Sequence, residues 1–187
     1  MTTTEIEAIP LHLLAQPIEW FFAEHFRHRQ ACKIIESVAA AIVFDRPRIT
    51  ELISFLDHDL PLHVIDEEED FFPLLRRRCE AEDDVERVLG MLSAEHRADM
   101  VQASAVLDLF LTSLKTERAP GLDPAQRKAM TAFAAQERRH LGLENAIVLP
   151  IARLRLDQDD LKTLGRRLAA RRGRLLCSVV SQGMGKP

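Results

Sequence analysis

One pattern occurs twice in this chain: a histidine, a glutamate four residues later and a proline six residues after the glutamate. The two copies are His63-x-x-x-Glu67 followed by Pro73, and His140-x-x-x-Glu144 followed by Pro150. Side chains four residues apart lie on one face of an α-helix, so each copy places an imidazole beside a carboxylate. The spacing therefore predicts two helices that carry matching polar pairs.

Both polar pairs lie on helix faces that are otherwise apolar. Leu56, Leu60 and Phe71 are in phase with the first pair, and Met130 and Phe133 are in phase with the second. Titratable groups buried among such side chains are costly unless a partner compensates them, and metal ions commonly bind imidazole together with carboxylate. The sequence therefore predicts a metal site inside a helical core.

The composition limits the classes of protein that are possible. The chain has 187 residues, of which 47% are hydrophobic, and this is enough for one well-filled core. Its formal net charge is -4, which gives no basic surface for nucleic acid. It lacks a run of about 18 apolar residues, the length needed to span a bilayer. Neither nucleic acid nor a membrane is expected as a partner.

The first residues and the cysteines bear on the compartment. Glu5 and Glu7 stand where a secretory signal would carry basic residues, and no long apolar run follows them. Cys32, Cys79 and Cys177 are odd in number and far apart, which argues against a disulfide framework. We expect a cytoplasmic protein.

Helix signals follow one another along the chain with little strand signal between them. The first helix is expected over 17–44, the second over 47–79 with joints at Pro61 and Pro73, and the third over 81–116. Asp123 and Pro124 are typical of an N-cap and a first helical residue, so they begin the fourth helix. A short fifth helix begins near Asp157.

These helices predict an all-α fold, an antiparallel up-down-up-down four-helix bundle with a short additional C-terminal helix. The corresponding segments are an N-terminal segment at 1–16, the bundle at 17–156, and the C-terminal helix and tail at 157–187. The fifth helix is expected to cover an end or a side of the bundle.

The first and third helices each offer one further histidine on an apolar face. These are His25 and His96, and each follows a glutamate, in Glu24-His25 and Glu95-His96. The chain then divides into two half-sites, each a His helix followed by a His-x-x-x-Glu helix. Four imidazoles and two carboxylates suit two metal ions with bridging carboxylates, and one ion with six ligands stays open.

Some neighbouring residues compete for a place in this site. His28 lies three residues after His25 on the same stripe, so it is an alternative ligand or an outer partner. Glu137-x-x-His140 has the spacing used by ferritin-like di-iron proteins, but the residues three positions before His25, His63 and His96 are not glutamates. Glu137 could still reach a free metal position. His12 and His58 are expected outside the site.

Two charged clusters are open to simpler interpretations. The acidic run Glu68, Glu69 and Asp70 is expected to be a solvated face, with one member accepting a hydrogen bond from a ligand imidazole. The basic residues near the end of the last helix are expected to complement the helix dipole or to recruit an acidic partner. They are Arg166, Arg167, Arg171, Arg172 and Arg174.

With these motifs the sequence resembles the hemerythrin-like HHE cation-binding family over roughly residues 18–156. Residues 62–73 read LHVIDEEEDFFP and residues 140–150 read HLGLENAIVLP. The resemblance implies a four-helix bundle with two non-haem iron ions, often bridged by an oxo or hydroxo group and by both carboxylates. Zinc or manganese are alternatives that the ligand types leave open. The metal ligands that it implies are His25, His63, Glu67, His96, His140 and Glu144.

One departure from the oxygen-carrying hemerythrins affects the function. They have a second histidine one turn after the third-helix ligand, where this chain has Met100. A thioether is a poor ligand for ferric iron, so the site is expected to be one imidazole short and open to a small ligand. Reversible oxygen carriage is therefore disfavoured.

Three hypotheses follow for the function. The first is a non-enzymatic protein that senses or handles oxygen, nitric oxide, peroxide or iron. The second is a redox enzyme, either peroxidase-like or consuming nitric oxide, at the same two irons. The third is a structural module filled with zinc or manganese. The sequence leaves a protein partner unidentified and a homodimer open.

Overall fold

A computed structural model describes residues 5–176, and all regular elements in this range are helical. A 3₁₀ turn at Leu11–Ala15 precedes α1 (Pro17–Ala40), and two composite helices, α2 and α4, alternate with α3 (Val85–Thr116) and α5 (Gln158–Arg171). Helix α2 consists of the segments Arg46–Ser54, Phe55–Asp59, Leu60–Ile65, Asp66–Phe71 and Phe72–Arg78. Helix α4 consists of Pro124–Leu143, Glu144–Val148 and Leu149–Arg155. Short 3₁₀ turns at Ala81–Asp83 and Pro120–Leu122 lie in the loops.

Helices α2 and α4 continue through their prolines by means of π turns. Pro61, Pro73 and Pro150 each stand second in the α segment that follows the π turns Phe55–Asp59, Asp66–Phe71 and Glu144–Val148. A proline lacks an N–H and its ring collides with the carbonyl four residues earlier, and a wider turn relieves both problems. The joints expected at Pro61 and Pro73 are therefore π turns, and the joint at Pro150 was not expected.

Aspartate side chains fix three of the helix starts. Asp45, Asp123 and Asp157 each accept hydrogen bonds from backbone N–H groups of the first turn, as the sequence predicts for Asp123. Helix α1 ends at Ala40, earlier than expected, because the backbone of the next residue is extended. Helix α3 starts at Val85 because a 3₁₀ turn and a left-handed Asp84 precede it.

A layer of buried polar side chains divides the apolar core into two clusters. Cluster A contains Phe21 of α1, Phe71 of α2, Leu89 of α3 and Val148 of α4. Cluster B contains buried residues of the same four helices, among them Ile35, Leu52, Phe110 and Phe133. The chain runs from A to B in α1 and α3, and from B to A in α2 and α4. The expected antiparallel up-down-up-down bundle is therefore confirmed.

Helix α5 covers the cluster A end of the bundle and packs against the N-terminal 3₁₀ turn. Leu164, Leu168 and Ala169 of α5 belong to cluster A together with Leu14 of that turn. The approach is close, because a Cβ added at Gly165 would lie 2.3 Å from the carbonyl oxygen of Leu14. Within residues 5–176, no helix has both the length and the hydropathy needed to cross a membrane.

This close approach predicts that Gly165→Ala lowers the free energy of unfolding by about 1–3 kcal/mol, the usual cost of overpacking. The control is Gly90→Ala in α3, where a Cβ would meet nothing within 4 Å. An alanine at that position should stabilise the helix by up to about 1 kcal/mol. Denaturant unfolding of both variants measures the two changes, and equal effects would contradict the packing described for α5.

Candidate metal centre

The polar layer contains all six side chains that the sequence predicts as ligands. His25 comes from α1, His63 and Glu67 from α2, His96 from α3, and His140 and Glu144 from α4. All six are buried, with relative exposures of 5% or less. Four helices thus contribute to one layer at the middle of the bundle, as the doubled pattern predicts.

These side chains form two overlapping groups that share both glutamates. One group is His25, His63, Glu67 and Glu144, and the other is His96, His140, Glu67 and Glu144. In each group the candidate ligand atoms lie within 4.8 Å of one another. The arrangement has the form of two cation positions with two carboxylates between them.

The inward imidazole nitrogens lie 3.1–3.8 Å from the shared carboxylate oxygens. The Nε2 atom of His25 lies 3.8 Å from Glu67 and 3.5 Å from Glu144. The Nε2 atom of His63 lies 3.5 Å from Glu67, and that of His140 lies 3.1 Å from Glu144. Ligand atoms about 2.0–2.2 Å from one metal ion are typically separated by such distances.

None of the eight inward atoms has a hydrogen-bond partner in the structure. They are Nε2 of His25, His63, His96 and His140, and both carboxylate oxygens of Glu67 and Glu144. A buried polar atom without a partner costs about 1–3 kcal/mol, so the concentration of eight in one layer needs an explanation. A cation bound between imidazoles and carboxylates satisfies these atoms together, and the residues present therefore fit a metal.

The opposite ring nitrogens all have partners. The Nδ1 atoms of His25, His63, His96 and His140 lie 2.9, 3.2, 2.6 and 3.1 Å from oxygens of Asn145, Glu24, Glu68 and Glu95, respectively. Such a contact holds a proton on Nδ1 and leaves Nε2 free to bind a cation.

These outer partners repeat as regularly as the candidate ligands do. Glu24 and Glu95 each precede a histidine of the site, whereas Glu68 and Asn145 each follow a shared glutamate. The sequence predicts one such acceptor in the acidic run and contains the two Glu-His pairs. It does not predict that Glu24 and Glu95 accept hydrogen bonds from ligand imidazoles. The signal was present because every outer partner is a chain neighbour of a ligand candidate.

With this geometry established, a comparison with protein-family models identifies the domain. Residues 16–152 match the model of the hemerythrin HHE cation binding domain. The chain belongs to this family. The matched region agrees with the resemblance expected over roughly 18–156. Among curated proteins, none matches the chain.

The competing residues are placed outside both groups of the HHE site. His28 is buried, and its Nδ1 lies 2.7 Å from Glu137, so these two alternative ligands are hydrogen-bond partners of each other. Burial lowers the pKa of His28 and opposes charge on Glu137, but the hydrogen bond from His28 lowers the pKa of Glu137. This describes a neutral imidazole donating to a carboxylate. His12 and His58 are exposed, as expected.

A small cavity of about 10 Å³ adjoins the site on the side of Met100. It is lined by three candidate ligands, His63, His96 and His140, and by Leu60, Val64, Asp99, Met100 and Glu137. Asp99 is buried and neither of its oxygens has a hydrogen-bond partner. A volume of this size is at the lower limit for one water molecule, so only a very small ligand fits. Sequence reasoning missed Asp99, which lies beside Met100.

The acidic run is not the solvated face that was expected. Asp70 is buried and lies 2.6 Å from Arg167 and 2.8 Å from Arg171 of α5. Glu69 alone of the run is exposed, whereas Glu68 is half-buried against His96. The wider turn in α2 and the arrival of α5 place Asp70 inside the structure, and a regular helix considered alone could not show this.

The cysteines of the described residues lie outside both candidate ligand groups. Cys32 is buried in cluster B, and burial raises the pKa of its thiol, so it is an inert core residue. Cys32 and Cys79 are both free, and Cys177 lies outside the described residues.

Neighbouring carboxylates favour the protonated form of two imidazoles in the metal-free site. Burial alone would lower the pKa of His63 and of His140, but Glu67 and Glu144 respectively, as the nearest carboxylates, raise each to about 10. Since the ordinary value is 6.5, the stability that these protons confer is complete below pH 6.5 and is lost as the pH rises toward 10.

A metal ion must displace these protons, because it binds neutral imidazole. We therefore predict that loading the metal-free protein near neutral pH releases at least two protons per chain, with His63 and His140 among their sources, and that metal affinity rises with pH up to about 10. An indicator dye in weakly buffered solution measures the release during a metal titration. Binding that releases no protons would contradict the charge states described.

Proposed function

We propose that this protein is a non-haem di-iron member of the HHE family that senses or handles oxygen, nitric oxide, peroxide or iron. The observation that carries the proposal is the set of eight unpaired buried atoms in two groups that share Glu67 and Glu144. Imidazole with carboxylate suits iron among the borderline metals. When bound, iron supplies a redox-active centre that can take a small ligand.

The proposed ligands divide evenly between two ions. His25 and His63 would hold one ion and His96 and His140 the other, with Glu67 and Glu144 contributing to both. Each ion then has two imidazoles and a share of two carboxylates from this chain. Met100 adds no imidazole, so positions remain for a small ligand or water.

The cavity beside Met100 restricts the ligand to very small molecules. Its volume is about 10 Å³, and His63, His96 and His140 form part of its wall. That volume is at the lower limit for one water molecule, so oxygen, nitric oxide or peroxide would enter only with movement of the lining side chains. The free state of Cys32 and Cys79 supports a reducing compartment, and we propose the cytoplasm.

A redox enzyme at the same centre is the second candidate, and Asp99 favours it. Its carboxyl group lines the cavity, and burial raises its pKa, as suits a group that exchanges protons with a bound ligand. A structural module filled with zinc or manganese is the third, because the same ligands bind those ions.

The metal content tests the proposal directly. We expect close to two iron ions per chain in protein purified from cells supplied with iron, measured by elemental analysis. Glu67→Ala and Glu144→Ala should each lower both metal retention and the melting temperature, because each removes a group shared by both ions.

His58→Ala is the matched control, since His58 is exposed and lies outside both groups. It should leave both quantities unchanged. A maximum of one ion bound to all six residues would contradict the dinuclear proposal, and zinc in place of iron would support the structural module.

The reaction with oxygen distinguishes a sensor or redox protein from an oxygen carrier. We predict that the reduced iron protein mixed with oxygen in a stopped-flow spectrometer oxidises and forms no long-lived reversible adduct, because Met100 leaves a position open. Met100→His should slow this oxidation. A stable adduct in the unaltered protein, reversed by removing oxygen, would restore oxygen storage.

Reactions with peroxide and nitric oxide distinguish a sensing or handling protein from a redox enzyme. A single oxidation event per chain supports sensing or handling, whereas many turnovers with an external reductant support the enzyme. In the second case Asp99→Asn should lower the turnover number while leaving the metal content intact.

A further inference from the structure

Helix α5 carries arginines that reach the acidic residues behind the metal centre. Arg167 and Arg171 pair with Asp70, Arg171 also pairs with Asp66, and Arg172 pairs with both Asp66 and Glu24. Asp66 is fully buried and immediately precedes Glu67. The basic cluster at the end of α5 is therefore not explained by the helix dipole alone, because three of its members are bound to the polar layer.

One of these contacts leads directly to a proposed ligand. Nη2 of Arg172 lies 2.7 Å from Oε1 of Glu24, and Oε2 of Glu24 lies 3.2 Å from Nδ1 of His63. Glu24 thus has one oxygen for the guanidinium and the other for the imidazole. The guanidinium also lies over the ring of Trp20 at 4.7 Å and donates to the carbonyl of Leu168, so its own position is fixed.

The other half of the centre has the same arrangement with a different arginine. Oε1 of Glu95 lies 2.8 Å from Arg139, and Oε2 of Glu95 lies 3.1 Å from Nδ1 of His140. Arg139, however, belongs to α4, the helix that carries His140, and its side chain is 56% exposed, compared with 12% for Arg172. An exposed ion pair contributes little because water screens it, whereas a buried pair is costly to break.

We propose that Arg172 is a positioning residue that holds Glu24 against His63, so that α5 controls the metal position built by His25 and His63. The position built by His96 and His140 does not depend on α5. This inference rests on the proposed metal centre. Helix α5 at Gln158–Arg171 and Arg172 after it lie beyond the matched HHE region, which ends at residue 152, so the control is an addition to the domain.

Arg172 affects the metal position because Glu24 has few other partners. Without Arg172, its carboxylate keeps only the contact with His63 and can rotate toward the neighbouring surface cleft, which Arg27 and Asp59 also line. The Nδ1 hydrogen bond then weakens and the Nε2 atom is less firmly directed at Glu67. Loss of an outer partner of this kind typically lowers metal affinity by about 10–100-fold.

The test compares four single variants with the unaltered full-length protein, each loaded with two Zn²⁺ ions per chain as the probe. Arg172→Ala removes the proposed positioning residue, and Arg139→Ala removes its counterpart in the other half. Arg167→Ala removes an arginine of α5 that pairs with Asp70 and not with Glu24, and so controls for weaker docking of the helix. Arg172→Lys tests rescue by a shorter cation.

We expect Zn²⁺ release to a colorimetric chelator in two phases. Arg172→Ala should accelerate one phase by about tenfold or more and leave the other within about twofold, and Arg172→Lys should restore part of the difference. Arg139→Ala and Arg167→Ala should change both phases by less than about threefold. Equal acceleration of both phases by Arg172→Ala, or the same effect from either control, would overturn the inference.

A second readout needs no metal and separates this inference from the proposed function. In the metal-free protein, NMR should show exchange of the His63 Nδ1 proton about tenfold faster in Arg172→Ala, with the His140 proton unchanged. An unchanged His63 proton would overturn the role of Arg172 even if the wild-type protein binds two ions. Failure of the wild-type protein to bind two ions would instead refute the dinuclear centre.

Discussion

The cost of burying imidazoles and carboxylates at the middle of the bundle governs the rest of the structure. Eight inward atoms lack a hydrogen-bond partner, at about 1–3 kcal/mol for each such atom. The total is comparable with the whole stability of an ordinary domain. Protonated His63 and His140 offset part of this cost in the metal-free protein, and bound cations replace those protons. Folding and metal binding are consequently linked in this chain.

Two apolar clusters, one on each side of the polar layer, help to offset this cost. Phe71 in cluster A and Phe55 in cluster B are almost fully buried, and they exclude water from the polar layer from opposite directions. The π turns keep α2 and α4 continuous across this region, so that His63 and Glu67 remain adjacent although Pro73 follows. The proline in each copy of the motif thus accompanies the π turn that contains the glutamate of the site.

Spacing on one helix predicted the ligand candidates, but it could not predict contacts between helices. His63 and Glu67 could be paired because residues four apart share a face whatever the tertiary structure. The partners Glu24 and Glu95 were visible in the sequence, but each serves a histidine of another helix, and only the packed bundle shows this. Asp70 was expected in solvent for the same reason, since an arginine of the distant α5 covers it.

The two halves of the centre are related by sequence but differ in their surroundings. The cavity with Asp99 and Met100 adjoins His63, His96 and His140, whereas His25 does not line it. The opposite side, behind His63, is occupied by Glu24, Asp66 and the arginines of α5. A small ligand entering through the cavity would meet His63 of one half and His96 and His140 of the other, whereas the proposed action of the C-terminal helix is on the half built by α1 and α2. Under the proposed function, the duplicated ligands would thus hold two ions, of which only one depends on the contact between Arg172 and Glu24.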